Sequence, residues 1–233
     1  MTHWFPGRWI GSTALVLGPL LLLTGTLLRA PFPFFFPHQI AAIAEHPGLM
    51  AAAQATSTAG NVLLCPAVLV LVHHIGRTRP ALAKWGGALV LCGLFERTFH
   101  AGVDQAAHRM VRHAGAERAT ALITESYQDL HLFSFLSFTV VSGWLVLALG
   151  AHRSRVLGTA RAVALALTSL LPMGVLKGTE VLSVVATAGL CAALVPAGVR
   201  LLLDGPRPDR RSALLALAAV PALGALAFVS TLG

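Results

Sequence analysis

A short stretch of the chain, FERTFHAGVDQAAHRM at residues 95–110, carries acids and bases immediately after the apolar run WGGALVLCGL. Steps of four residues put Glu96, His100, Asp104 and His108 on one face of a helix. An imidazole one turn before a carboxylate can hydrogen-bond it and fix its orientation, while neighbouring charges and burial can separate acid and base roles. The spacing therefore indicates either acid and base chemistry on this helix or a set of charges that pair for cohesion.

The composition places this helix in a membrane protein. Of the 233 residues 56% are hydrophobic and 11% are charged, which is outside the usual range of soluble globular proteins. The net charge of +8 is spread between apolar segments. This distribution favours a role in topology and contact with anionic lipid headgroups over nucleic-acid binding.

The apolar runs predict an all-α bundle, because each membrane span needs about 20 mostly apolar residues. We expect one integral membrane domain over residues 1–233, with 30–48 as an interfacial loop and short helix on the outer side. That segment could serve as a lid or as a plain anchor. Seven transmembrane helices are predicted, at residues 10–29, 50–74, 81–112, 119–151, 158–175, 180–203 and 212–231.

Lys and Arg are concentrated in the connections near residues 77–84, 153–161 and 200–211. The sparser cations, Arg8 and Arg29 among them, are expected on the opposite side. The positive-inside rule then predicts an outer N-terminus and a cytoplasmic C-terminus.

Polar residues of several predicted helices fall at similar depths in the outer half of the bilayer. With a rise of about 1.5 Å per residue, Asp104 lies roughly 30 Å above the helix end near Lys84, and Glu96 lies near mid-membrane. Charged groups at such depths usually face a protein interior or a water-filled cavity. The pattern predicts a packed cytoplasmic base below a polar cavity whose further members are Gln54, Asn61, Arg97, Glu125, Tyr127, Asp129, His131, Lys177 and Glu180.

Aromatic side chains accompany these polar residues. Ring faces attract cations, so an acid surrounded by aromatics suits a substrate that becomes positively charged during its reaction. Ordinary aromatic packing is the alternative for each ring. The residues in question are Phe95, Phe99, Phe133, Phe135 and Phe138.

Four segments, GNVLLCPAVL, RTFHAGVDQ, ESYQDLHLFS and GVLKGTEVLS, resemble the small actinobacterial membrane-bound terpene cyclases of indole-sesquiterpenoid, drimentine-type pathways. The resemblance implies a seven-helix bundle in a bacterial cytoplasmic membrane. It also implies that a carboxylic acid protonates an alkene or epoxide of a farnesyl-indole type substrate, which then cyclises through carbocations. No cofactor is implied. The DxDD motif of soluble class II cyclases and the Asp-rich magnesium motif are both missing from the sequence.

Within that reaction, Asp104 is the expected proton donor, oriented by His100, with Glu96 as its main rival. Asp129 and Glu125 would assist, and Tyr127 or His131 would take the final proton. Arg97, Lys177 and Glu180 would form the charge network that sets the pKa of the acid. These three would also bind the substrate, together with Gln54, Asn61, Glu125 and the five phenylalanines.

Two other functions fit the same residues. A haem-binding electron carrier would need facing axial histidines, for which His100 and His131 are the only pair at comparable depth in the outer half. A small proton-coupled transporter would use intramembrane carboxylates and histidines as a relay. A purely structural accessory role would leave the carboxylates replaceable by amides.

Overall fold

The computed structural model describes residues 4–126, 132–172 and 174–204, and beyond these only positions 214, 218, 221, 224–226 and 229. The described residues contain no β-strand. The helices are α1 (Gly7–Arg29), α2 (Phe36–Glu45), α3 (Pro47–Gly76), α4 (Pro80–Ala114), α5 (Ala116–Ser126), α6 (Leu132–Arg153), α7 (Thr159–Ala166) with a 3-10 turn (Leu167–Leu170), and α8 (Val181–Leu203).

The chain divides into two compact units, Met1–Leu202 and Leu203–Gly233. The first unit holds the bundle from α1 to the end of α8. In the second, the described positions from 214 onward are helical and exposed. The predicted seventh helix at 212–231 falls mostly outside the described residues, as does the predicted location of the C-terminus.

Four of the described helices are long and apolar enough to cross a membrane: α1, α3, most of α6, and α8. The all-α, membrane-type character predicted from composition is thereby confirmed. Helix α4 has 35 residues and is therefore about 52 Å long. It packs between α3 and α6, with an apolar first half and a charged second half.

Glycines allow these helices to pack backbone against backbone. A Cβ on Gly60 of α3 would lie 2.7 Å from the Leu22 nitrogen of α1, and one on Gly143 of α6 would lie 2.6 Å from the Val90 nitrogen of α4. Small residues at helix interfaces permit such approaches in membrane bundles.

Two apolar clusters lie along the bundle with polar residues between them. On α3 and α4 the order is the same: one apolar cluster, then polar positions, then the second cluster. The larger cluster includes Leu15, Leu64, Leu71, Val90, Leu147 and Leu190. The smaller includes Ile40, Ile43, Met50, Ala107, Ile123 and Leu176.

One predicted helix ends early, and another is described in two parts. The predicted helix 119–151 is described as α5 and α6, and residues 127–131 lie outside the described residues. The predicted helix 158–175 stays helical only to Leu170, after which the described residues of 171–180 are irregular. Pro172 cannot donate to a helical ladder, and Gly174 has a φ of 100°, so the sequence itself stops the helix here.

The short helix predicted within residues 30–48 is present as α2, where Pro37 lies in the first turn. Proline is favoured at this position because its missing N–H would have no partner inside the helix.

The predicted side for Arg8 is wrong. Its Nε donates to the Leu201 carbonyl at 3.1 Å and its Nη2 to the Leu202 carbonyl at 2.6 Å. The Trp4 ring stacks on His73 with centroids 4.5 Å apart. The start of α1 therefore lies at the same end of the bundle as the last turns of α3 and α8. Arg8 and Arg29 occupy opposite ends of one helix, so they cannot share a side.

Candidate functional site

A polar cavity of about 130 Å³ lies between the two apolar clusters. Helices α1, α3 and α4 supply three walls, and the segment 171–180 with the first turn of α8 supplies the rest. A volume of this size is close to the roughly 150 Å³ cavity that accepts a benzene ring in a well-studied lysozyme variant. The polar and charged residues that line the cavity of this protein include Arg29, Gln54, Asn61, Arg97, His100, Asp104 and Lys177.

Asp104 joins α4 to the irregular segment. Its Oδ1 accepts a hydrogen bond from the Leu176 N–H at 2.7 Å, and its Oδ2 lies 3.6 Å from Arg29 Nη1. Leu176 is buried and has a φ of 49°, in the left-handed region that a leucine rarely adopts. The bond from Asp104 therefore helps to hold a strained residue in place while the same carboxylate borders the cavity.

Arg29 connects four elements at the end of α1. Its Nη1 donates to the Lys177 carbonyl at 3.3 Å and lies beside Asp104 of α4, while its Nη2 donates to Gln54 Oε1 of α3. Its Nε is buried and has no hydrogen-bond partner among the described residues. The Arg29 guanidinium thus joins the elements of the cavity wall, and its Nε–H can still donate to a bound ligand.

Arg97 and Lys177 complete the support of the segment 171–180. Arg97 Nη1 donates to the Pro172 carbonyl at 3.1 Å, and Lys177 Nζ lies 5.5 Å from the centre of the Phe34 ring. The Gly178 N–H donates to the Phe34 carbonyl at 2.8 Å. Non-helical backbone inside a membrane protein needs such partners, because lipid offers none.

Asn61 is a buried amide of the cavity wall and is 5% exposed. Its Nδ2 donates to the Leu94 carbonyl at 3.0 Å and to Thr98 Oγ1 at 2.9 Å. Because a carbonyl can only accept, these bonds fix which amide atom is nitrogen. The Asn61 Oδ1 is buried, and in the part of the chain that the structure describes it has no hydrogen-bond partner.

Glu96 lies outside the cavity lining. It is fully buried in α4 and accepts a hydrogen bond from Ser137 Oγ of α6 at 2.8 Å. The two rival acids of the sequence therefore have different surroundings: Asp104 borders the cavity, and Glu96 joins α4 to α6.

The predicted aromatic residues whose side chains the structure describes, Phe95, Phe99, Phe135 and Phe138, are not among those that line the cavity. Phe95, Phe135 and Phe138 are 61–68% exposed, which in a membrane bundle means contact with lipid. Phe99 is partly buried, with its ring centre 5.9 Å from that of His100. The side chain of Phe133 lies outside the described residues.

Four of the remaining predicted site residues lie in or near the sequence 127–131, between α5 and α6. Tyr127, Asp129 and His131 lie outside the described residues, and Glu125 is exposed near the end of α5. Glu180 is exposed and borders a second hollow beside α8.

Several cavity residues were missed by the sequence reasoning, above all Arg29, together with Thr26, Ser57 and Thr179. Arg29 was counted as a loop cation because it ends an apolar run. The sequence signal for Arg29 is LPMGVLKGTE at residues 171–180. Its proline and two glycines predict a non-helical backbone whose N–H and carbonyl groups need hydrogen-bond partners inside the protein.

Among the described residues, no group of three or more His, Cys, Asp or Glu side chains is placed to hold a metal ion. No protein-family model, curated protein or solved structure matches the chain. The function must therefore be argued from the cavity and its residues.

Proposed function

We propose that this chain is a multi-pass, seven-helix enzyme of a bacterial cytoplasmic membrane that cyclises a prenylated substrate of farnesyl-indole type after protonating it. The observation that carries the proposal is the Asp104 carboxyl group at the wall of a ring-sized cavity inside an apolar bundle. The resemblance of four segments to membrane-bound terpene cyclases supports the same conclusion.

In the proposed reaction, Asp104 donates a proton to an alkene carbon or an epoxide oxygen of the prenyl chain. The π electrons of the chain then form carbon–carbon bonds, and a base removes a proton from the last cation. Substrate and product are isomers, so the reaction consumes no co-reactant. Arg29, 3.6 Å from Asp104, stabilises the carboxylate that proton transfer leaves behind.

The surroundings of the two acids favour Asp104 over Glu96 as the proton donor. A general acid must come within hydrogen-bond reach of the atom that it protonates. Asp104 borders the cavity, whereas Glu96 is packed against Ser137 beyond its wall. Tyr127 and His131 stay the candidates for the final base.

The proposal is tested by incubating membranes that contain the protein with farnesyl-indole and with its terminal epoxide. Cyclised product is measured by mass spectrometry for the wild type, Asp104→Asn and Glu96→Gln. Because general acid catalysis contributes about 10²- to 10⁴-fold, Asp104→Asn is expected to lower the rate at least a hundredfold. Glu96→Gln is expected to retain most of the rate.

Glu117→Gln, an exposed substitution in α5, is the matched control for loss of a carboxylate. If the wild type cyclises neither substrate, the enzyme proposal fails. If Asp104→Asn keeps the wild-type rate, Asp104 is only an anchor for Leu176 and the acid lies elsewhere.

The positive charge of the cavity favours a second candidate. Among the described residues, Arg29, Arg97 and Lys177 line it together with one carboxylate, Asp104. Such a lining suits the head of an anionic amphiphile that is bound or carried without being transformed. Saturable binding of radiolabelled farnesyl phosphate, with no conversion of either cyclase substrate, would support this candidate over the enzyme.

A further inference from the structure

Two arginines meet where α7 packs against α8, outside the lining of the polar cavity. The helices approach closely, since a Cβ on Gly189 of α8 would lie 2.8 Å from the Ala164 carbonyl oxygen of α7. Arg161 of α7 donates to the Ala193 carbonyl of α8 from Nε at 3.1 Å and from Nη2 at 2.5 Å. Arg200 of α8 is close enough for the two positive charges to repel each other. The contact between the helices therefore holds two like charges together.

These two charges have no negative partner in the part of the chain that the structure describes. Neither Arg161 nor Arg200 forms an ion pair with a described acidic side chain. The bonds of Arg161 to Ala193 use Nε and Nη2, so its Nη1 group can donate to a ligand. Arg200 is exposed, and its whole guanidinium group can do the same. A bound anion would relieve the repulsion and accept charge-assisted hydrogen bonds from both side chains.

The surroundings of the two arginines are apolar and face outward. Val163 of α7 and Val199 and Leu202 of α8 are 56%, 41% and 39% exposed. In a chain with four helices suited to crossing a membrane, such side chains contact acyl chains. A free phosphate ion would match only the charge of this surface. A phospholipid supplies a phosphate for the arginines and acyl chains for the apolar side chains around them.

Both arginines lie close to helix ends. Arg200 is in the last turn of α8, about 5 Å from the end of the helix, and Arg161 is in the first turn of α7. This is the basic end of the bundle, where α1 begins and α3 and α8 end. Lipid phosphates lie just outside the hydrocarbon, at the level where membrane-spanning helices end. The position of the two arginines therefore suits a lipid headgroup.

From these observations we propose that Arg161 and Arg200 form a site for the phosphate group of an anionic phospholipid in the leaflet at the basic end. The inference goes beyond the proposed function and does not depend on it, because neither arginine lines the polar cavity. The phosphate accepts hydrogen bonds from both guanidinium groups, and the acyl chains lie along the exposed valines of α7 and α8. A zwitterionic lipid has the same phosphate, but its own cation competes with the arginines for it.

Lipid binding is measured by native mass spectrometry of the full chain released from detergent micelles, which resolves each bound lipid molecule. The probes are phosphatidylglycerol, which is anionic, and phosphatidylcholine, which is zwitterionic. We expect the wild type to bind its first phosphatidylglycerol about tenfold more tightly than phosphatidylcholine. Arg200→Gln should weaken phosphatidylglycerol binding about fivefold, the effect of roughly one arginine near an anionic headgroup. It should leave phosphatidylcholine binding within twofold of wild type.

Two further variants separate a site from general positive charge. Arg200→Lys keeps the charge and should retain most of the affinity for phosphatidylglycerol. Arg79→Gln removes an exposed arginine before α4 at the same end of the bundle, and it should leave the affinity within twofold of wild type. Arg161→Gln also loses the bond to Ala193, so Arg200→Gln, whose native side chain makes no hydrogen bond to a described residue, is the deciding variant.

Equal affinity of the wild type for the two lipids would overturn the proposal, as would unchanged phosphatidylglycerol binding in Arg200→Gln. Equal weakening in Arg200→Gln and Arg79→Gln would show attraction to the overall charge and reject a site at the two arginines. Phosphatidylglycerol that stays bound in millimolar inorganic phosphate supports a lipid site. Its displacement by inorganic phosphate would reject the lipid and assign the two arginines to a free anion.

Discussion

The proposed reaction and the contact with Leu176 give Asp104 two roles that require different properties of one carboxyl group. As an acid it needs a proton that can leave, and as an anchor it needs only an oxygen that accepts the Leu176 N–H. The amide of asparagine keeps the acceptor and loses the proton. This difference makes the two roles separable by substitution.

We predict that Asp104→Ala destabilises the protein by about 1–3 kcal/mol, because the Leu176 N–H and Arg29 lose a buried partner. Asp104→Asn should cost less, since its side-chain oxygen can replace Oδ1. Thermal denaturation in detergent, followed by tryptophan fluorescence, measures both. Equal melting temperatures for the alanine and asparagine variants would show that the bond to Leu176 contributes little to stability.

The residue types of the cavity were only partly predictable. Five cavity residues could be grouped by their depth in the bilayer, because a polar side chain within an apolar helix is evident from the sequence around it. These are Asn61, Arg97, His100, Asp104 and Lys177. Arg29, which joins the elements of the cavity wall, could not be recognised from its position at the end of α1. Its importance depends on an irregular backbone segment more than 140 residues later in the chain, and no local pattern expresses that contact.

At the scale of elements, packing between α1 and α3 depends on the lack of a side chain at Gly60. A methyl group there would overlap the backbone of α1, which cannot move as a flexible side chain would. The neighbouring bundle faces contain further glycines with the same function.

We predict that Gly60→Ala lowers the free energy of unfolding by about 1–3 kcal/mol through overpacking. Gly102→Ala in α4 is the matched control, since nothing lies within 4 Å of its added Cβ. That control should be neutral or stabilising by up to about 1 kcal/mol, because alanine favours helix more than glycine does. Thermal melts of the two variants in the same detergent decide the matter, and similar losses in both would contradict close packing at Gly60.

The element boundaries show where sequence patterns are sufficient. The predicted helices at 50–74 and 180–203 agree closely with α3 and α8, because continuous apolar runs determine membrane-type helices. The end of α7 was misplaced because apolar content was followed past Pro172. The apolar composition of a segment shows that it is suited to lipid. It does not show whether the backbone of that segment stays helical.

For the whole molecule, the contacts of Arg8 and Trp4 place the start of α1 at the basic end. Combined with the positive-inside rule, these contacts predict a cytoplasmic start of α1 and an outer position for α2 and α5. We therefore expect the cavity in the outer half of the bilayer.

This orientation predicts opposite labelling of two exposed positions. After Cys65, Cys92 and Cys191 are replaced by alanine, Glu117→Cys in α5 should react with a membrane-impermeant maleimide in intact cells. Arg153→Cys at the end of α6 should react only after the membrane is opened. The reverse pattern would place the cavity on the cytoplasmic side.

The contacts of Arg29 with Gln54, Asp104 and Lys177 predict how the charge of a bound ligand affects the segment 171–180. A neutral oxygen that binds Nε adds a bond and leaves the three contacts intact. An anion large enough to draw the guanidinium away would free the Lys177 carbonyl and remove the cation beside Asp104, whose Oδ1 accepts from the Leu176 N–H. A neutral ligand is thus linked to a stiffer segment 171–180 and an anionic one to a looser segment, so two ligands of equal affinity would leave this backbone with different rates of amide hydrogen exchange.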